Sequence, residues 1–139
     1  MKLTLTIKQV RKIREYIVEH NLERPLWFDS LSDAEVKKCY NGVGSNETFR
    51  PLRMALTYVY QFAIPAVVIH DVIWSYVKEK NLTIDDFYLS NKNLKINARK
   101  CLFISYEDEY SWLYFEWCYV KCWLAERACN KLGFNSWES

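Results

Sequence analysis

The chain has 139 residues, 50% of them hydrophobic, enough for one domain that buries roughly two thirds of its unfolded surface. Its formal net charge is only +2, from 19 basic and 17 acidic residues spread along the sequence, so it lacks the basic face or tail of a nucleic-acid binder and no nucleic-acid partner is expected. The cysteines (Cys39, Cys101, Cys118, Cys122 and Cys129) are odd in number and form no CxxC pair, which argues against a disulfide scaffold and for reducing surroundings.

The N-terminus, MKLTLTIKQVRKIREY, has no apolar signal-peptide core and reads as a helix entered at Thr6. Ile7, Val10, Ile13 and Ile17 form an apolar stripe at three- and four-residue steps, which predicts a first helix to about His20, ended by Pro25. Ser32 with Glu35 three residues on is a capping box that opens a short second helix. That helix runs into YNGVGSN, residues 40–46, which holds two of the chain's 3 glycines. Such a stretch is either a tight turn between helices or a loop whose backbone grips something.

The segment from Arg50 to Lys80 is apolar for most of its length, and Pro65 should start a new helix or kink an existing one. Between Arg53 and His70 lie 16 uncharged residues, short of the roughly 20 needed to cross a bilayer, so a buried helix is expected rather than a membrane span. Thr83 with Asp86 is another N-cap, leading a helix to Lys100 on which Phe87, Ser90, Asn91, Leu94 and Ala98 share a face. A last helix spans Glu107 to Lys131, with Gly133 ending it at the C′ position. Its rings, among them Trp112, Phe115, Trp117, Tyr119 and Trp123, are too many for one narrow stripe. Either most of them fill the core of a small helical domain, or they offer an aromatic surface to lipid headgroups or another subunit. Cys118 and Cys122, one turn apart, could bind a metal, but no histidine is near in sequence and buried thiols are expected. Asn46 and Asn81 open NxT sequons, which matter only in a secreted eukaryotic chain. No segment alternates with a period of two, and no repeat or low-complexity tract occurs, so the fold class is all-α with five or six helices.

The chemistry centres on His70 and Asp71. Only 2 histidines exist, and His70 sits in an apolar helix. Alone, it reads as a hydrogen-bonded core residue, with Asp71 a solvated flank. Three features shift the weighting: the Tyr40, Gly42, Gly44 loop upstream, Trp74 four residues after the histidine, and the polar-rich helix downstream.

Together these residues resemble the phospholipase A2 superfamily. Its calcium loop, YxGxG, stands here as Tyr40-Asn41-Gly42-Val43-Gly44, followed by Ser45 and Asn46; its catalytic HDxxY stands as His70-Asp71-Val72-Ile73-Trp74. The following helix, TIDDFYLSNKNLKIN, and the last, YVKCWLAERACNKLGFNSW, are similar in order and character to those of small, disulfide-free phage and viral members. The resemblance covers residues 31–137, leaving 1–30 as an N-terminal helix and linker of one domain, 1–139.

What the resemblance implies is a fold with two facing antiparallel helices that carry the site. Calcium is the expected cofactor, held by the carbonyls of Tyr40, Gly42 and Gly44 and the carboxylate of Asp71. Glycines at alternate positions let carbonyls converge on such a hard cation. His70 would act as general base on a water. An aspartate on the facing helix orients the histidine in the family; here that position falls on Asn91, with Asp85 and Asp86 as substitutes only in a shifted register. In serine proteases the analogous Asp-to-Asn change lowers turnover about 10⁴-fold. Trp74 also replaces the family's tyrosine. The implied activity is calcium-dependent hydrolysis of an acyl ester of glycerophospholipids, with a phospholipid or membrane surface as partner and a cytoplasmic or virion-associated location. The alternative is a catalytically inactive member kept as a binding or virion structural module, self-associating or docking a virion partner through the aromatic C-terminal helix.

Overall fold

The computed structural model describes residues 4–40, 50–105, 112–133 and 137. Among these, every regular element is helical, as the absence of two-residue alternation predicts. Helix α1, Ile7–Glu19, opens with a capping box in which the Thr6 hydroxyl accepts from Gln9 N and the Gln9 side chain accepts from Thr6 N. It is not Pro25 that ends it. Asn21 takes a left-handed φ of 49°, Leu22 N donates to Ile17 O and Asn21 N to Val18 O, the paired bonds of a Schellman stop. Pro25 instead precedes a 3₁₀ helix, Leu26–Ser30, which buries Phe28 and which helical spacing did not announce. Helix α2, Asp33–Cys39, has the expected Ser32–Glu35 capping box. Arg14 ties it to α1, donating to the Asp33 carboxylate and to Leu31 O.

The loop at 41–49, with Gly42, Gly44, Ser45 and Asn46, lies outside the described residues. The apolar segment that follows divides into α3, Arg50–Val59, a 3₁₀ helix, Gln61–Ala63, and α4, Ile64–Ser75. Pro65 sits in the first turn of α4, so it starts a helix rather than kinking one. Helix α4 is apolar on nearly every side, with Ala66, Val68, Ile69 and Val72 at 2% exposure or less, and a helix of that kind is stable only when other elements surround it. It packs against α1, α2 and α5. A second Schellman stop at Asn81, φ 52°, with Leu82 N donating to Val77 O, precedes α5.

Helix α5, Ile84–Ser105, continues past the expected end at Lys100, because Cys101 and Leu102 carry its buried face onward. Helix α6 runs Trp112–Leu132, and the part of the expected helix before Trp112 lies outside the described residues. Contacts that pair ascending with descending numbers make α4 and α5 antiparallel: His70 with Asn91, then Trp74 with Phe87. The same holds for α5 and α6, from Asn91 with Asn130 and Lys95 with Glu126 to Phe103 with Phe115. Near-buried Lys121 anchors α6 to the end of α3, donating from Nζ to Val59 O while the Tyr60 hydroxyl donates to Lys121 O. No described helix is long and apolar enough to cross a membrane.

One open alternative is decided for the tryptophans, and one expectation changes. Among the described residues α6 turns Cys118, Lys121 and Cys122 inward, and Trp112, Trp117 and Trp123 stay exposed, so these rings do not fill the core. Gly133 follows the last helical residue but does not take the left-handed φ of a C′ glycine. Its smallness serves packing: a Cβ there would run into the indole Cη2 of Trp74 and stand 2.7 Å from Cys129 O. Trp74 cannot retreat, since its ring already meets those of Phe87 and Trp137, each 5.7 Å away. Gly133→Ala is therefore expected to destabilise the protein by about 1–3 kcal/mol through overpacking, read as a lower urea midpoint; an unchanged midpoint would show that the indole has room to move.

Candidate functional site

A histidine in an apolar helix must find a partner or bear the cost of an unmade hydrogen bond, about 1–3 kcal/mol. His70, 8% exposed, finds it on the facing helix, where its Nε2 lies 2.8 Å from Oδ1 of the fully buried Asn91. In the structure Asn91 turns its Nδ2 towards Asn130 on α6 and donates to Asn130 Oδ1 at 2.9 Å. Asn91 Oδ1 is thus left to accept, so Nε2 carries the imidazole proton and Nδ1 keeps its lone pair. Burial pushes the His70 pKa down to about 4, and the hydrogen bond to Asn91 only partly offsets that.

The neighbouring aromatic wall is polar where it must be. The Trp74 indole N–H donates to Ser90 Oγ at 3.1 Å, and the Ser90 hydroxyl donates on to Phe87 O at 2.8 Å. The Trp74 ring lies 4.7 Å from that of His70, and Trp137 closes over Trp74 and Phe87 edge to face. The indole N–H thereby ties the ring to the facing helix.

Asp71 serves a different direction. One residue along a helix is a rotation of about 100°, and while His70 meets α5, the Asp71 charge acts on Tyr40 at the end of α2. Burial is the larger cause and Asp71 the second in pushing the Tyr40 hydroxyl up to about 12. The same charge helps raise the thiols of Cys39 and Cys129, again after burial. The structure therefore brings together His70, Asn91 and Trp74 in one cluster, while the charge of Asp71 is felt at Tyr40. Gly42 and Gly44 lie outside the described residues.

The shifted register that would bring Asp85 or Asp86 to the histidine is not adopted. Asp86 accepts from Thr83 N at 2.7 Å and from its hydroxyl, a capping role, and Asp85 lies in the same first turn. Three participants escaped the sequence reading: Asn130, Ser90 as the indole's acceptor, and Trp137. Only Ser90 carried a signal, its place on the same helical face as Asn91. Cys118 and Cys122 are fully buried, and the Cys122 thiol donates to Cys118 O. Among the described residues no three His, Cys, Asp or Glu side chains converge as a metal site would need.

The chain matches no protein-family model, no curated protein and no solved structure at a significant level.

The lowered pKa of His70 has a stability consequence of definite sign. Above pH 6.5 both folded and unfolded chains hold it neutral; as pH falls towards about 4 the unfolded chain takes up the proton first, so stability is lost across that window. The loss is of the order of 3 kcal/mol at most. In calcium-free buffer with a chelator, the melting temperature should fall between pH 7 and pH 4.5, and His70→Gln should flatten that slope. An equal slope in the variant would mean that other groups carry the acid sensitivity.

Proposed function

We propose that the chain is a phospholipase A2-like esterase with a weakened base, hydrolysing an acyl ester of a glycerophospholipid. The observation that supports this most is the orientation of the imidazole: Asn91, paired with Asn130, accepts a hydrogen bond from Nε2–H and leaves the Nδ1 lone pair for a water. In this reading Nδ1 accepts a proton from the water as its oxygen attacks the ester carbonyl, then returns it to the leaving alcohol. Asn91 holds the ring through both transfers, but as a neutral amide it stabilises the imidazolium less than a carboxylate would. The depressed pKa has two effects: His70 stays in its base form throughout the neutral range, and it is a weaker base than an unperturbed histidine.

The Asp71 carboxylate, whose charge is felt at Tyr40, would be the hard-oxygen side-chain donor of a kind calcium takes. Calcium held there, with the carbonyls of Tyr40, Gly42 and Gly44, would supply the charge that polarises the ester and stabilises its oxyanion.

A second reading is favoured by two specific facts. Asn91 offers no negative charge, and the histidine beside it is 8% exposed. Both suit a catalytically inactive module, binding or virion structural, in which His70 and Asn91 serve as a buried polar clamp.

Calcium binding is read without activity. A ligand that binds only the folded state adds about 2.7 kcal/mol at a hundredfold excess over its Kd. Millimolar calcium should raise the melting temperature of the parent, magnesium should raise it less, and Asp71→Ala should abolish the effect. An unchanged parent melting curve removes the metal from the reading.

Activity separates the two functions. In the esterase, Asn91→Asp should raise calcium-dependent acyl release by about ten- to a thousandfold, part of the 10⁴ such a charge is worth. His70→Ala should abolish release, and Asn130→Ala, which frees the amide to turn, should lower it. In the inactive module no variant releases acyl chains, and Asn91→Asp buries a carboxylate that lowers stability by a few kcal/mol.

A further inference from the structure

We propose that the solvent face of α6 is a self-association surface on which α6 of a second copy of this chain packs antiparallel. The inference is independent of the esterase reading. Leu113, Trp117, Val120 and Leu124 recur at alternating steps of four and three residues, the spacing of a coiled-coil seam. All four are exposed, at 72%, 55%, 42% and 40%, because the opposite side of the helix, with Cys118 and Cys122, is the one turned to the core. The chain has thus built a regular apolar seam and left it on the surface.

The size of the patch bears on what covers it. Trp112, Trp117 and Trp123 on this side of α6 are 67%, 55% and 43% exposed. At about 200 Å² per ring side chain they present roughly 330 Å², and with Leu113, Val120 and Leu124 beside them the face reaches the upper end of what a monomer leaves apolar and exposed.

Charge selects the occupant and its direction. Beyond Leu124 the seam continues through Arg127 and Lys131, both cationic, whereas Glu116 flanks its N-terminal part. Parallel copies would set each cation against its own counterpart. An antiparallel alignment that places Val120 against Leu124 of the second copy instead sets Arg127 against Trp117 and Glu116, and the twofold axis repeats every contact. Arg127 is suited to this, its guanidinium already lying over the Trp123 ring at 5.0 Å. A lipid surface would accept the rings, yet it would meet the Glu116 carboxylate within the apolar patch, and a second copy offers that carboxylate a cation.

Sedimentation velocity on the full chain across the micromolar range tests this. The parent should shift from monomer to dimer with concentration. Val120→Glu and Leu124→Glu should each weaken the dimer at least about tenfold while leaving the circular dichroism and melting curve of the monomer unchanged. Glu116→Arg should weaken it as well, and adding Arg127→Glu should restore it, the coupling expected of groups in contact. A parent that stays monomeric, a dimer indifferent to Val120→Glu, or a charge reversal that the second substitution does not rescue would overturn the proposal. So would a monomer that cosediments with phosphatidylglycerol vesicles and loses that binding in Val120→Glu, which would give the face to lipid.

Discussion

The constraint on which the rest of this structure depends is that α4 is apolar on almost every side and carries one imidazole. A helix with no polar face has no stable place except the middle, so α1, α2 and α5 close around it and its position sets theirs. The imidazole then dictates what the neighbours must contain. Its Nε2–H requires an acceptor on α5, and an amide used as that acceptor requires its own NH₂ to be satisfied, which brings Asn130 of α6 into register. One buried ring thereby fixes the sliding of three helices against one another.

The same logic recurs elsewhere in α5. Asn97, 1% exposed, accepts from Glu23 N through Oδ1 and donates to Glu23 O through Nδ2, matching a backbone amide pair with a side-chain one. This pins the segment after α1 to α5, where a purely apolar contact would leave the register free. Buried amides are costly when unpaired, so each one that is fully paired excludes neighbouring registers as well as stabilising its own. The site of His70 is in this sense continuous with the scaffold, and its chemistry rests on groups that also determine the helix packing.

The two faces of α6 divide its labour. Small thiols and an inward lysine let the helix sit close to α5 and the end of α3, while Trp112, Trp117 and Trp123 are left on the outer side. Placing tryptophans outward is unfavourable for an isolated monomer unless they are used, since each ring carries up to about 250 Å² of surface. The inward side depends on close approach in the same way at Gly133, where the absence of a Cβ admits the Trp74 indole.

The sequence by itself determined the local structure: capping boxes at Thr6, Ser32 and Thr83, the start at Pro65, and the all-helical class follow from periodicity and from side chains that bond to their own backbone within three residues. That Asn91 faces His70 was an expectation of the family resemblance and not of spacing, and the contact itself is what the structure supplies. What only tertiary structure decided were matters that depend on residues far apart in sequence. Asn130 gives no local sign that it will pair with an amide 39 residues away. Asn21, not Pro25, stops α1, because a Schellman stop depends on a backbone angle that an asparagine permits without requiring. Whether the rings of α6 face in or out was undecidable from their number, since a helix with apolar residues all round can bury either side. In the structure the side that carries Cys118 and Cys122, whose small side chains permit close approach, is the one turned inward.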